Sequence, residues 1–137
     1  MSASYPIKDL GDLSADTVTV LRKAGIRTTG KLLELAKNAK GRKALAARTG
    51  LSESRILAWA NMADRMRVKG LGKEYAELLK AAGVDTVKEL KYRNPGKLAK
   101  AMATANAKRK LVRLVPSEKA IGRWIEDARK LPLKITY

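Results

Sequence analysis

Two glycines separated by one leucine, Gly70-Leu71-Gly72, form the segment of this chain best suited to binding chemistry. Glycine has no Cβ, so a backbone built from it can approach a bound phosphate closely. The apolar spacing that follows predicts a helix beginning at Gly72, and amides at the start of a helix point toward an anion. Lys69 and Lys73 flank the turn and would add charge-assisted contacts. The segment is predicted to bind the phosphates of a nucleic acid without reading its bases.

A second turn has a related composition. In Thr49-Gly50-Leu51-Ser52 a glycine precedes a leucine, and Arg48 and Arg55 lie on either side. Gly50, Ser52 and the two arginines are therefore predicted to make a second set of phosphate contacts. The alternative for both turns is that they only pack helices against each other.

The densest group of cations is Lys108, Arg109, Lys110 and Arg113. Four positive charges within six residues could follow one strand of a duplex, although a charge run is more often a solvated helix face. An earlier basic patch is interpreted as its counterpart; it comprises Lys40, Arg42, Lys43 and Arg48.

The overall charge supports a polyanionic partner. The 137 residues include 30 Lys and Arg against 13 Asp and Glu, which gives a formal charge of +17, and both halves of the chain are basic. Nucleic acid is the first partner to consider, followed by an anionic membrane and an acidic protein. Few side chains suited to base reading or stacking occur, so weak sequence specificity is expected.

The residue types argue against catalysis. The chain contains no His and no Cys, which removes the usual zinc ligands and the usual general base. We therefore expect no enzyme activity, no cofactor, no metal and no small-molecule substrate. A nuclease or ligase would have to use carboxylates that are better interpreted as helix caps, first-turn acids or surface charge: Asp85, Glu118, Glu126 and Asp127.

No signal-peptide pattern and no long apolar run is found in the sequence. The expected location is the cytoplasm, in association with the nucleoid if the protein binds DNA, and no membrane partner is expected. Oligomeric state is left open.

The sequence segments that are predicted to form the helices positioning these residues occur twice in the chain. The stretch from Leu21 to Thr28 returns as Leu79 to Thr86, and Ser52 to Trp59 returns as Ser117 to Trp124. Two matches in the same order predict a duplicated module, whose copies bury their apolar faces against each other. The predicted fold is all-α, with two units, residues 1–66 and 67–137, of about four or five short helices each.

Caps and apolar spacing place the helices. Ser14 is a candidate N-cap, and Ser52 and Ser117 are predicted to cap the last and longest helix of each copy. Trp59 and Trp124 recur on the apolar faces of those helices and are interpreted as core residues, with base stacking as the alternative. The residues after Leu131 are expected to leave the helix and pack as an extended strip. The other helices are predicted at about 14–24, 28–37, 41–48, 72–82, 86–92 and 95–104.

The segment from Val68 to Leu79 resembles a helix-hairpin-helix motif, in which the apolar residue between the glycines, here Leu71, fills the core. The second copy is similar in layout to the N-terminal domain of recombinases and to the C-terminal domain of the bacterial RNA polymerase alpha subunit. The shared residues are Gly70-Leu71-Gly72, Ala82-Gly83-Val84 and Thr86-Val87. The tandem arrangement resembles an uncharacterised bacterial family of helix-hairpin-helix proteins, known only as a domain of unknown function.

This resemblance implies non-catalytic, largely sequence-independent binding of double-stranded DNA. Each copy is expected to contain two hairpins, and two of these four depart from the helix-hairpin-helix pattern. Asp12-Leu13-Ser14 has an acid in place of the first glycine, and Leu114-Val115-Pro116-Ser117 has no glycine. Each copy is therefore expected to keep one competent hairpin, at 70–73 and at 50–52. A helical protein-interaction scaffold and binding to RNA or the ribosome are the alternative functions.

Overall fold

The computed structural model describes residues 3–11 and 13–137. These residues form eight α-helices and one short 3₁₀ helix, Ile7–Leu10, and they contain no strand beyond an isolated bridge between Pro6 and Thr28. The predicted all-α class is confirmed. Asp12, in the predicted Asp12-Leu13-Ser14 turn, lies outside the described residues. The α-helices are α1 (Ala15–Lys23), α2 (Thr29–Ala36), α3 (Ala39–Thr49), α4 (Glu53–Arg65), α5 (Gly72–Ala81), α6 (Val87–Lys91), α7 (Pro95–Arg109) and α8 (Glu118–Lys130).

Side-chain caps begin most of these helices. Ser14 accepts a hydrogen bond from the backbone N–H of Thr17 at 3.1 Å, and Ser52 and Ser117 cap α4 and α8 in the same way. Such a cap stabilises a helix because it pairs one of the amides that lack an intrahelical acceptor. These three predicted helix starts are confirmed.

Thr86 and Glu89 at the start of α6 have the sequence spacing of a capping box, but the carboxylate pairs a different amide. The Thr86 hydroxyl accepts from the Glu89 N–H, but the Glu89 carboxylate accepts from the Asp85 N–H at 2.8 Å. The carboxylate thus pairs the amide one residue before the cap.

Helix α7 is longer than predicted. It extends to Arg109 and has 15 residues against 13 in α8, so the last helix of the second half is not its longest. The segment from Met102 to Ala107 is rich in alanine, the strongest helix former, and contains no glycine or proline that would stop the helix earlier. The helix ends at Lys110, which adopts the left-handed conformation with φ of 51°.

The buried apolar side chains form one cluster that draws on both halves of the chain. Trp124 belongs to it, with 7% exposure and its ring 5.3 Å from that of Tyr75. Trp59 is only partly buried, and the Arg55 guanidinium lies over its ring at 5.0 Å. The prediction of a core tryptophan is confirmed for Trp124, whereas Trp59 is only half-buried and packs against the core from its surface.

Buried charged side chains join the two halves of the chain. The sequence did not predict these contacts. Asp64 and Arg67 form an ion pair at 2.7 Å, with side-chain exposures of 4% and 3%. The second carboxylate oxygen of Asp64 accepts from the Val87 N–H at the start of α6. Arg65 donates to the carbonyl oxygens of Ala76 and Asp85, and burial lowers the pKa of its guanidinium. The end of α4 is therefore tied to α5 and α6 by polar contacts inside the core.

The residues after α8 pack back onto the first half. The Thr136 N–H donates to the Lys37 carbonyl at 2.7 Å, and the Lys134 ammonium lies 2.8 Å from the Glu34 carboxylate. Lys37 contacts the same carboxylate, and the two lysines hold the pKa of Glu34 at about 2, below its ordinary value of 4.5. The predicted end of α8 near Leu131 is confirmed, and the tail joins residues distant in sequence.

Candidate nucleic-acid interface

The turn at 70–72 has the backbone conformation that its glycines allow. Gly70 and Gly72 have φ of 79° and 71°, a region that residues with a Cβ rarely adopt. Leu71 between them is 2% exposed, and its N–H donates to the Val68 carbonyl at 3.2 Å. A Cβ at either glycine would meet no heavy atom within 4 Å. Glycine is therefore required by the backbone angles, and the space outside the turn is open.

Helix α5 differs from the others at its N-terminus. Within the described residues, seven of the eight α-helices begin with a side-chain cap, whereas Leu71 precedes α5 without one. The first amides of α5 thus keep their hydrogen-bonding capacity and the positive end of the helix dipole. Lys69 and Lys73 are exposed on either side of these amides. The arrangement can bind an anion through backbone donors and two ammonium groups.

An acidic side chain holds this turn against α8. Asp127 accepts a hydrogen bond from the Lys69 N–H at 2.9 Å. It lies on a helix that begins many residues after the turn, and the sequence predicts only a helix cap, a first-turn acid or a surface charge for it. No pattern in the sequence connects the two positions, so the contact depends on the packing of α8 beside the turn.

The polar side chains of the turn at 50–52, unlike those of the turn at 70–72, already have partners within the protein. Gly50 ends α3 with φ of 76°, but the Ser52 hydroxyl accepts from the Arg55 N–H and so caps α4. Arg48 donates to the Ala24 carbonyl at 2.9 Å, and the Arg55 guanidinium lies over an indole ring, as described above. All three polar side chains predicted to contact phosphate here already have a partner within the protein.

The basic cluster of Lys108, Arg109, Lys110 and Arg113 lies along α5 and is not concentrated at the turn at 70–72. Lys108 and Arg109 lie beside Ala81 and Ala82, at the far end of α5 from Gly72. The loop that continues from Lys110 returns toward the start of α5, where the Tyr75 hydroxyl donates to the Leu114 carbonyl at 3.0 Å. Lys108, Arg109, Lys110 and Arg113 are all exposed. A helix of this length spans about 15 Å, the axial rise of about four base pairs.

The earlier basic patch contains one residue that cannot contribute to a surface. Arg42 is 5% exposed and donates to the carbonyl oxygens of Ala36 and Thr136. Its predicted place in the patch is wrong, because the tail covers it. Lys40, Lys43 and Arg48 are exposed.

An open groove of about 760 Å³ lies beside the turn. It is lined by the turn residues Lys69 and Gly70, by the segment 114–117 and by the Tyr75 and Trp124 rings. Charged side chains of α8 also line it: Arg123, Glu126, Asp127 and Lys130. The groove therefore joins the predicted hairpin to the residues that follow Arg113, whereas the cations at 108–113 are not among its lining residues.

Most of the Lys and Arg side chains form no ion pair within the described residues. Only four of the 30 Lys and Arg side chains are in an ion pair within 3–11 and 13–137. In the same residues no group of three or more carboxylate, His or Cys side chains is arranged to hold a metal ion. None of the described helices is both long and apolar enough to cross a membrane.

Comparison with known proteins gives one result that bears on this surface. Neither the curated proteins nor the solved structures gave a match. A family model described as "Domain of unknown function (DUF4332)" matches residues 12–131, which include every predicted contact residue. The chain belongs to this family of unknown function.

Proposed function

We propose that the protein binds double-stranded DNA through its phosphate backbone, without catalysis, as a pair of tandem helix-hairpin-helix units. The observation that carries the proposal is the start of α5. There, a glycine of positive φ precedes the N-cap Leu71 and a second one is the first residue of the helix, whose first turn has no side-chain cap and is flanked by two exposed lysines. A backbone phosphate oxygen is the ligand that open amides and ammonium groups of this kind bind.

The charge of the rest of the molecule supports the same ligand. The exposed cations along α5, Lys108 to Arg113, could contact further phosphates of the same duplex. The resemblance of the second half to recombinase and RNA polymerase alpha domains points to the same use of the turn. By contrast, the occupied cap at Ser52 argues for a minor role of the turn at 50–52.

The test is the binding of the purified protein to a short labelled DNA duplex over a series of salt concentrations. If about six to ten phosphates are contacted, affinity should fall by roughly 10³ to 10⁵ between 50 and 200 mM salt. Changing the base sequence at constant length should have little effect. A flat salt dependence would contradict backbone binding.

The turn itself is tested by Lys73→Glu, which replaces an exposed cation beside the open amides by an anion. We expect the affinity to fall by about tenfold or more, since the change both removes one phosphate contact and adds repulsion. The matched control is Lys31→Glu, an exposed lysine of α2 that belongs to neither predicted hairpin. Equal affinities of the two variants would assign the binding to general charge and not to the turn.

Competitors separate the remaining candidates. Single-stranded DNA and duplex RNA are added against the labelled duplex. Stronger competition by duplex RNA would favour RNA or ribosome binding. Absence of any binding at low salt would contradict the proposal, and an acidic protein partner would then be the better explanation of the charge.

A further inference from the structure

Leu114 is a large apolar side chain that the fold leaves in solvent. Its exposure is 76%, whereas most leucines of the chain are in the core. It lies in the α7–α8 loop, residues 110–116, directly after the exposed Arg113. A single exposed leucine needs no explanation by itself, but this one is held by an ordered loop and lies beside cations.

The backbone on both sides of Leu114 is fixed. The Asn106 side-chain amide donates to the Val112 carbonyl and accepts from the Val112 N–H, both at 3.0 Å. The Tyr75 hydroxyl donates to the Leu114 carbonyl, and Pro116 is buried. These contacts present the leucine from an ordered loop, which lowers the entropy cost of using it in binding.

The loop around Leu114 is basic, and the groove that it lines contains three cations, Lys69, Arg123 and Lys130, against two acids, Glu126 and Asp127. No Asp or Glu occurs from Leu90 to Ser117, while four exposed cations lie in the last turn of α7 and in the loop. A nucleic acid matches this combination, because its phosphates pair with the cations and the space between stacked bases is apolar. Proteins that bind the minor groove use leucine and similar side chains in this way, partly unstacking a base step and bending the duplex.

The position of the loop allows one duplex to meet both features. Leu114 and Gly70 line the same groove, together with the Tyr75 and Trp124 rings. A duplex whose phosphate rests on the turn at 70–72 would therefore have its neighbouring groove next to the leucine.

We propose that Leu114 enters the minor groove of the bound duplex and wedges between two stacked base pairs, so that the protein bends the DNA. This inference rests on the proposed function, since it needs a duplex held at the turn. It adds a deformation of the DNA, which phosphate binding alone does not require.

The experiment uses the full chain and a short duplex that carries 2-aminopurine at its centre and a fluorescent donor and acceptor at its ends. Anisotropy measures binding, 2-aminopurine emission reports unstacking, and energy transfer reports bending. The variant is Leu114→Ala, and the control is Leu133→Ala, which makes the same change at a leucine of the tail that is 53% exposed. Both residues are outside the core, so folding should not change.

We expect the parent protein and Leu133→Ala to raise both the emission and the energy transfer. Leu114→Ala should bind with an affinity reduced by about tenfold or less, because losing the apolar contact is partly offset by leaving the bases stacked. Its emission and energy transfer should stay near those of free duplex. Binding by the parent protein without these changes, or identical signals from Leu114→Ala, would overturn the wedge and leave the proposed function intact. If no duplex binds at all, the proposed function fails and the wedge fails with it.

Discussion

Asp127 places a negative charge beside the turn that carries Lys69 and Lys73. Its carboxylate accepts the Lys69 N–H and so orders the turn, but it also places a negative charge where a phosphate is proposed to bind. The two effects separate in Asp127→Asn, because the amide oxygen can still accept the hydrogen bond. The wild-type acid is thus interpreted as a structural residue that weakens anion binding.

We expect Asp127→Asn to bind duplex DNA about two- to fivefold more tightly at low salt, an advantage that should shrink as salt screens the removed repulsion. The measurement is a salt series on the variant and on Glu126→Gln, which removes the neighbouring acid without touching the turn. Weaker binding by Asp127→Asn would mean that the order of the turn matters more than its charge.

At the level of single residues, the sequence predicted features that depend on nearby neighbours. The glycine turn at 70–72 and the caps at Ser52 and Ser117 follow from local backbone chemistry. The burial of Arg42 under the tail depends on a partner far along the chain, to which local spacing gives no clue.

Among the described α-helices, α5 is the one that begins without a side-chain cap, and α4 ends among buried charged side chains. The last turn of α4 carries Asp64, whose two oxygens bind Arg67 and the Val87 N–H. Replacing the carboxylate by a methyl group would leave a buried guanidinium and a buried amide without that acceptor. The cost of such an orphaned charge is much larger than that of a broken surface pair.

We expect Asp64→Ala to lower the free energy of unfolding by about 3–5 kcal/mol. The control is Glu126→Ala, which breaks an ion pair with Arg129 whose side chains are 66% and 59% exposed, and which should cost less than about 1 kcal/mol. Urea unfolding followed by circular dichroism measures both. Similar midpoints for the two variants would show that water or a rearranged side chain replaces the buried carboxylate.

Helix positions were predicted more accurately than helix lengths. The start of α7 at Asn94-Pro95 follows from the proline and the cap, while its end at Arg109 exceeds the predicted one by five residues. Alanine-rich segments have no strong stop signal, so the end is set by the Asn106 contacts with the loop. Those contacts fix the backbone of the loop that carries Lys110 and Arg113. The helix pattern of the sequence could not predict this part of the candidate site.

In the whole molecule the halves share one apolar core, and polar contacts at the end of α4 and in the C-terminal tail join them further. The tail supplies the Pro132 carbonyl to Arg67 at 2.6 Å and the Thr136 carbonyl to Arg42 at 2.8 Å. Both arginines are buried, so the tail supplies acceptors to charges in the interior, while the Arg67 Nε stays without a partner among the described residues. Sequence periodicity predicted the two sets of helices, but it carries no information on an irregular strip that crosses from one half to the other.

Removing residues 132–137 tests this role of the tail. Because two buried guanidinium groups would each lose a carbonyl acceptor, we expect the free energy of unfolding to fall by about 2–5 kcal/mol. Lys134→Ala, which keeps the tail and loses only its partly exposed ion pair with Glu34, should cost less than about 1 kcal/mol. Calorimetry on the three proteins compares the transitions. Because the turn at 70–72 lies outside the tail, duplex affinity of the folded truncated protein should stay within about twofold of the parent, with only Lys134 removed from the positive charge. An unchanged midpoint would show that solvent satisfies Arg42 and Arg67 as well as the tail does, and the apolar core and the end of α4 would then suffice to hold the halves together.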